Sequence, residues 1–279
     1  MKIINPSFEI IEQQAGLEGM YKHIELAGRT CYKSEDKITN DSAEGFVNRM
    51  IKSNHTAMLE HGTVYLKVPY KTEDAWGTLN NRMIIANYED NTYSIVKDFD
   101  HCAYITTNYR VIVENKYEKH LQFICEPTEY HEKRVTVRFI TDQGILREFT
   151  RHRVFSFAVE STRYCNYSKD KFGKELTYIM PCWLPDGDLS VPAEECFKYA
   201  LIKSEQAYFQ LLKEGWTPQQ ARNVLPLATK CEIIMTGFVN DWKHFFDLRA
   251  LGITGAPHPQ AKELAKPLYD IFIQRGYIK

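Results

Sequence analysis

Val135-Thr136-Val137-Arg138-Phe139-Ile140 alternates with period two, and close behind it Gly144-Ile145-Leu146-Arg147-Glu148-Phe149 leads straight into Arg151-His152-Arg153. Val135, Val137 and Phe139 fall on one side and Thr136, Arg138 and Ile140 on the other, as in a half-buried strand. The stretch 144–149 reads as a short helix. A strand that passes through a helix into a cluster of arginines is a scaffold presenting cations. A second alternating run, 63–68, places Val64, Leu66 and Val68 opposite Thr63, Tyr65 and Lys67, and the expectation is that the two strands pair.

Outward from these runs, helices are predicted over 17–33 and 43–54, the second with Phe46, Val47, Met50 and Ile51 on one face. The segment 71–133, rich in Tyr, Asn and charge, reads as an insertion with strand-like pieces over 104–113 and a helix over 117–125. Further on, 176–180 reads as a strand and 193–214 as a long amphipathic helix. Thr217-Pro218-Gln219-Gln220 combines an N-cap, a proline at the first helical position and a Gln three residues after the cap. Pro226 should end that helix near Leu225. A strand over 230–239 follows, then a helix capped by Asn240 or Asp241 and stopped by Gly252, and a last helix over 258–275. Strands and helices mix without strict alternation and without internal repeats. The fold class is therefore α+β, mixed helices with a mainly antiparallel sheet, in one domain over 1–279 that carries the 71–133 insertion.

Bulk composition narrows the function. Of 279 residues, 35 are Lys or Arg and 36 Asp or Glu, a net charge of -1 that argues against a broad basic surface for nucleic acid. Any anion site must be local. Seven Cys without a C-x-x-C pair give neither a disulfide framework nor a ribbon-type zinc site and suit a reducing, cytoplasmic setting. There is no apolar leader and no long apolar run, so neither secretion nor membrane spanning is expected.

The chemistry concentrates in Arg151-His152-Arg153-Val154-Phe155-Ser156-Phe157-Ala158-Val159-Glu160-Ser161-Thr162-Arg163-Tyr164. Arginine grips phosphate bidentately and stays charged, and Ser, Thr and backbone N–H groups complete such a cradle. A basic run is equally what a solvated face carries, and spacing alone leaves both readings open. Two rivals use the same residues or near neighbours. One is a nucleic-acid module stacking bases on Phe155, Phe157 and Tyr164. The other is a metal-dependent hydrolase around His55, Glu60 and His61, for which no metalloprotease-type spacing is present.

Arg-His-Arg followed by seven residues and a Ser, here Arg151, His152, Arg153 and Ser161 with Arg163-Tyr164 trailing, resembles the signature of the flavin-dependent thymidylate synthases. Ala27-Gly28-Arg29-Thr30-Cys31-Tyr32 and His55-Thr56-Ala57-Met58-Leu59-Glu60-His61 resemble that family's N-terminal segments. Ala221 to Leu227, Asp241 to Arg249 and His258-Pro259-Gln260 resemble its C-terminal blocks, in the same order. The likeness covers about 1–70 and 134–279; Val159 departs from an acidic position common in the family.

The resemblance implies conversion of dUMP to dTMP, with methylene-tetrahydrofolate as carbon donor and NADPH re-reducing FAD. It implies an FAD site built from Cys31, His55, Arg151, His152, Arg153, Glu160, Asn240 and His244. It implies a dUMP site of Glu148, Arg151, Ser161, Thr162, Arg163, Arg222 and Arg249, in which Ser161, Thr162 and Arg163 hold the phosphate and Arg222 and Arg249 face the pyrimidine, with Arg249 the catalytic group and no metal. Ser161 is then a substrate holder rather than a nucleophile. The family likeness further implies a homotetramer with shared sites and no nucleic-acid or membrane partner. Outside that likeness, Arg249 is also a cation in the last turn of a helix, where it offsets the macrodipole whatever the function, and Arg222 is also read as a snorkelling surface arginine.

Overall fold

The computed structural model describes residues 1–184 and 191–279. In chain order its strands are β1 (Lys2–Ile4), β2 (Ser7–Ile11), β3 (Thr63–Pro69), β4 (Ile95–Phe99), β5 (Cys102–Asn108), β6 (Arg134–Asp142), β7 (Ser156–Val159), β8 (Thr177–Ile179) and β9 (Lys230–Phe238). The helices are α1 (Gly16–Tyr32), α2 (Ser42–Lys52), α3 (Ala75–Glu89), α4 (Tyr109–Glu114), α5 (Gln143–Phe149), α6 (Val191–Lys213), α7 (Pro218–Ala221), α8 (Val239–Phe246) and α9 (Pro259–Gln274). The architecture is α+β. An antiparallel sheet of order β2-β6-β9-β7 forms the centre, β3-β5-β4 forms a second antiparallel sheet, and β1 and β8 make a short parallel pair. Among the described residues no helix is long and apolar enough to cross a membrane.

The expected pairing of the two alternating strands is corrected. β3 lies along β5, with Val64 opposite Thr107, and β6 lies between β2 and β9, with Val137 opposite Ile10 and Met235. β3 took β5, within the strand-like 104–113 piece, and β6 took β9, the 230–239 strand, with β2 on its other edge. β2 and β7 are too short, and too mixed in polarity, for an alternation to register. The 104–113 strand ends at Asn108, because the Asn108 side chain accepts the Val111 N–H (3.2 Å) and starts α4 there. The helix expected over 117–125 is only a 3-10 turn, Glu118–Phe123.

The α8 cap is corrected too. Phe238 is the N-cap, and Asp241 acts from inside the first turn by accepting the Phe238 N–H at 3.1 Å. The helix then widens into a π turn, Asp247–Leu251, closed by Gly252 at φ 70. The Thr217 capping box is present, and α7 tightens into a 3-10 turn, Arg222–Val224, before the extended Leu225.

Two cores hold these layers. β6 and β9 bury Val137, Phe139, Ile233 and Met235 against α5, α8 and α9. Trp242, fully buried there, satisfies its indole N–H on the Val135 carbonyl (3.1 Å) and packs edge-on to Phe155. The second core gathers Met20 and Ile24 of α1, Val64, Leu66 and Val68 of β3, and Ile84, Ile85 and Tyr88 of α3. The segment 71–133 thus supplies two strands of the second sheet and much of its core.

α1 and α2 cross at Gly28, where an added Cβ would lie 2.5 Å from the Phe46 ring. Phe46 is buried and carries the Arg29 guanidinium 4.9 Å from its centroid, so it has little room to retreat. Gly28→Ala should therefore destabilise by about 1–3 kcal/mol despite its better helix propensity. Urea melts would check this, with partial recovery in Gly28→Ala/Phe46→Leu; a stabilised single variant would contradict the crossing.

Candidate active site

β6 ends at Asp142, whose carboxylate accepts the Ile145 N–H (2.8 Å) and starts α5. α5 delivers Glu148 and then the Arg151-His152-Arg153 turn. From the other side, the π turn after α8 delivers Arg249; such widened turns concentrate at functional sites. Arg249 Nη1 donates to Glu148 Oε2 at 2.6 Å, Nη2 to the Glu148 carbonyl at 3.0 Å, and Nε to His152 Nε2 at 3.1 Å. Because Nε2 accepts, the proton of the His152 ring sits on Nδ1 and the ring is neutral. Burial, then the charges of Arg249 and His244, hold its pKa at about 4. His244 and Phe245 flank it, with centroids 6.0 and 5.1 Å away.

Beside this triad opens a cleft of about 390 Å³, walled by Gln143, Arg147, Thr162, Arg222 and Leu227. Arg222 Nη1 reaches Thr162 Oγ1 at 3.4 Å, and Arg163 Nε donates to Gln219 at 3.0 Å. A second hollow of about 460 Å³, lined by Glu148, Trp183, Phe197 and His258, shares Arg147 and Leu227 with the first. Arg147, Arg222 and Thr162 thus form a cationic, hydroxyl-bearing cradle next to Glu148. Arg147, Gln143 and Trp183 were not singled out from the sequence. Arg147 had a signal available, since it stands one helical turn before Arg151.

Of the other expected residues, His244 lies beside His152, and the rest are not gathered there within the single chain. Arg151 and Arg153 are exposed, and neither side chain bonds another described residue. His55, Asn240 and His244 are exposed as well. Cys31 is half-buried at the end of α1, where its carbonyl accepts the Ser161 N–H at 2.9 Å and so fixes the start of the Ser161-Thr162-Arg163 turn. Glu160 is buried, and its oxygens are occupied by Lys230 (2.8 Å) and the Tyr167 hydroxyl (3.1 Å). Of the three aromatics proposed to stack bases, Phe155 is buried and Phe157 half-buried, leaving Tyr164 alone exposed. Glu60 is bonded by Arg110 (2.6 Å), and His61 is buried on Thr236. Among the described residues no cluster of three metal-ligating side chains occurs.

A buried polar chain crosses between the cores. His23 Nε2 meets Thr136 Oγ1 (2.9 Å), Thr136 meets Thr236 (2.8 Å), and Thr236 meets His61 Nδ1 (2.8 Å). Three contacts need three protons and the two hydroxyls supply at most two, so at least one imidazole donates. Burial first, and Arg134 with it, holds His23 at about 4; burial, His23 and Arg134 hold His61 at about 3.

With His152, three rings therefore refuse a proton that the unfolded chain accepts near pH 6.5. The unfolded state binds more protons below that value, so stability should fall as pH drops from about 6.5 towards 4, by more than about 3 kcal/mol in sum. Urea melts across that window check it, and a flat profile would show the rings to be solvated.

The geometry defines a class: an α+β protein with a local arginine cradle of nucleotide size beside a guanidinium–carboxylate–imidazole triad. The family model described as "Thymidylate synthase complementing protein" matches residues 129–275, more than half of the chain, and the chain belongs to that family. Similar proteins include a probable flavin-dependent thymidylate synthase of Paramecium bursaria Chlorella virus 1, 30% identical over 151 residues, covering 50% of this chain and 66% of that protein. The flavin-dependent thymidylate synthase of Synechocystis is 28% identical over 145 residues, with the same coverages, so the match spans just under two thirds of both relatives. That of Corynebacterium glutamicum is 23% identical over 242 residues, covering 86% and 71%. A solved UMP/dUMP methylase PolB from Streptomyces cacaoi, bound with 5-Br dUMP, aligns at TM-score 0.47 and 16% identity, over 98% of this chain and 93% of that one.

Proposed function

We propose that this protein is a flavin-dependent thymidylate synthase that converts dUMP to dTMP, with methylene-tetrahydrofolate as carbon donor, FAD as cofactor and NADPH as reductant. The observation that carries the reading is the placing of Arg249, Glu148 and neutral His152 beside the Arg147–Thr162–Arg222 cradle. Family membership and the names of the similar proteins support it. Ser161, Thr162 and Arg163, with Arg147, hold the nucleotide phosphate; Arg222, expected at the pyrimidine, joins them through its contact with Thr162, and Glu148 with Arg249 faces the pyrimidine. As a carbon adds to uracil, negative charge grows on the ring carbonyls. A guanidinium fixed in advance stabilises that state more than the ground state.

The residues fit FAD: the guanidinium groups of Arg151 and Arg153, which bond no other described residue, suit its diphosphate, and His55, His152, Asn240 and His244 suit its polar edges. When bound, FAD supplies the carbon-carrying and reducing chemistry; the chain binds, orients and excludes water. Cys31 and Glu160 act on this site by positioning, through Ser161 and Lys230.

The separation of His55 and Asn240 from the cradle fits a homotetramer in which neighbouring subunits complete each site. Exposed Val154, Tyr164, Leu251 and Ile253, in or near the arginine-bearing segments, suit contact between subunits. The segment 71–133 lies almost wholly before the family match, in keeping with an addition to the family domain.

The test is an anaerobic assay with dUMP, methylene-tetrahydrofolate, FAD and NADPH, omitting each in turn, on protein whose visible spectrum has been recorded. dTMP formation that stops on each omission is expected. A colourless protein, or turnover without flavin, would sink the reading.

A further inference from the structure

A cavity of about 580 Å³ lies between the two antiparallel sheets, and none of its walls belongs to the methylation site. The β2–α1 connection, Thr63 and Tyr65 of β3, the stretch 124–136 and Tyr277 enclose it. Its volume is in the range of small-molecule sites. The side chain that sets its chemistry is Arg134, the first residue of β6.

Arg134 is nine-tenths buried. Nη1 donates to Thr63 Oγ1 (3.2 Å) and Nη2 to the Glu60 carbonyl (3.0 Å), while Nε has no partner among the described residues. Both acceptors are neutral. The nearby Glu60 carboxylate is engaged by Arg110, so the guanidinium forms no ion pair among the described residues. Burial lowers its pKa to about 10, which leaves it charged at neutral pH. The Glu60 and Asp241 carboxylates favour the charge from a distance, but neither is in ion-pair contact, and an anion in contact would lower the remaining cost of burying it.

The surroundings point the same way. α1, 17 residues long, begins on this wall at Gly16, and its N-cap Ala15 offers no side-chain acceptor to the first-turn N–H groups. Lys133 stands beside Arg134 with its ammonium 4.2 Å from the Tyr277 ring centroid. Of the carboxylates on the wall, Glu12 is paired with Arg275 and Glu132 with Lys97, and Glu126 and Glu129 sit on an exposed loop where solvent screens them.

We infer that this cavity is a second binding site, for a small molecule whose single oxyanion, phosphate or carboxylate, pairs with Arg134. The inference does not depend on the methylation reading, but that cradle would also bind phosphate, so the test separates them. Thermal melting is followed with inorganic phosphate and with acetate against chloride at constant ionic strength. Arg222→Ala, which weakens the cradle, should keep a rise in Tm of several degrees. Arg222→Ala/Arg134→Gln should lose it, and Lys133→Ala should reduce it.

The anion giving the larger rise names the class. An undiminished response without Arg134, or no response to either anion, would overturn the site. Should Arg134→Gln fail to fold, selenate soaked into crystals of the unmodified protein decides: an anomalous peak within hydrogen-bond distance of the Arg134 guanidinium supports it, and its absence overturns it.

Discussion

On the proposed function, Arg249→Ala should keep its fold and its flavin, yet lose dUMP methylation by roughly 10²–10³-fold, the cost of removing one preorganised donor from a developing oxyanion. Three hydrogen bonds disappear with the guanidinium, two on Glu148 and one on His152. Arg249 and Glu148 are only partly buried, so water can replace the lost donors and the stability cost should be about 1–2 kcal/mol. The loss should fall on kcat more than on KM, because the contact strengthens as charge develops.

A second readout separates chemistry from scaffolding. With the Arg249 charge gone, one of the causes that depress His152 is removed, so its pKa should rise from about 4 while remaining below the ordinary value, since burial persists. The ring resonances followed by NMR would show it. Arg249→Lys should rescue little, because an ammonium cannot span Glu148 and His152 together. Normal turnover in Arg249→Ala would remove the pyrimidine-facing role.

How much of this was legible in the residues divides along physical lines. Long elements with strong periodicity, α1, α2, α6, α9, β6 and β9, were predicted within a few residues, because burial of one face dominates local choice over such lengths. The Thr217 capping box was legible because its signal is local. Sheet partners were not: pairing depends on which strands meet in space, and the short β2 and β7 announce themselves only through β6 and β9. The candidate site divides likewise. The arginine run was conspicuous, and the resemblance carried Arg222 and Arg249 across a long sequence gap. Arg147, though four residues before Arg151, escaped because an arginine on a helix looks like a solvated one. The ion pair of Glu160 with Lys230 was not legible, since the partner lies 70 residues away.

That partnership belongs to a larger cluster, for which Glu232→Ala should destabilise by about 3–5 kcal/mol, the usual cost of leaving buried charges unpaired. Glu232, buried on β9, accepts from Lys33 at 2.8 Å and also bonds Lys230 and Arg138. Burial alone would raise its pKa, but Lys230 and Lys33 outweigh it and hold the carboxyl at about 2. A carboxylate depressed on folding contributes stability that is complete above its unfolded value near 4.5 and is lost as pH falls through 2. Linkage puts that contribution at about 3 kcal/mol, in line with the mutational figure.

Glu232→Gln keeps the shape without the charge. It should fall between the parent and Glu232→Ala at neutral pH and converge with the parent at low pH. The cluster also ties the end of α1 to the strand before Ser161, since Lys33 follows Cys31 closely and Glu160 donates its N–H to the Glu232 carbonyl at 2.8 Å. Loosening it should therefore raise KM for dUMP several-fold with little change in kcat. Urea melts at neutral and acid pH, alongside steady-state kinetics, test both halves; a Glu232→Ala protein within about 1 kcal/mol of the parent would show the cations finding water instead.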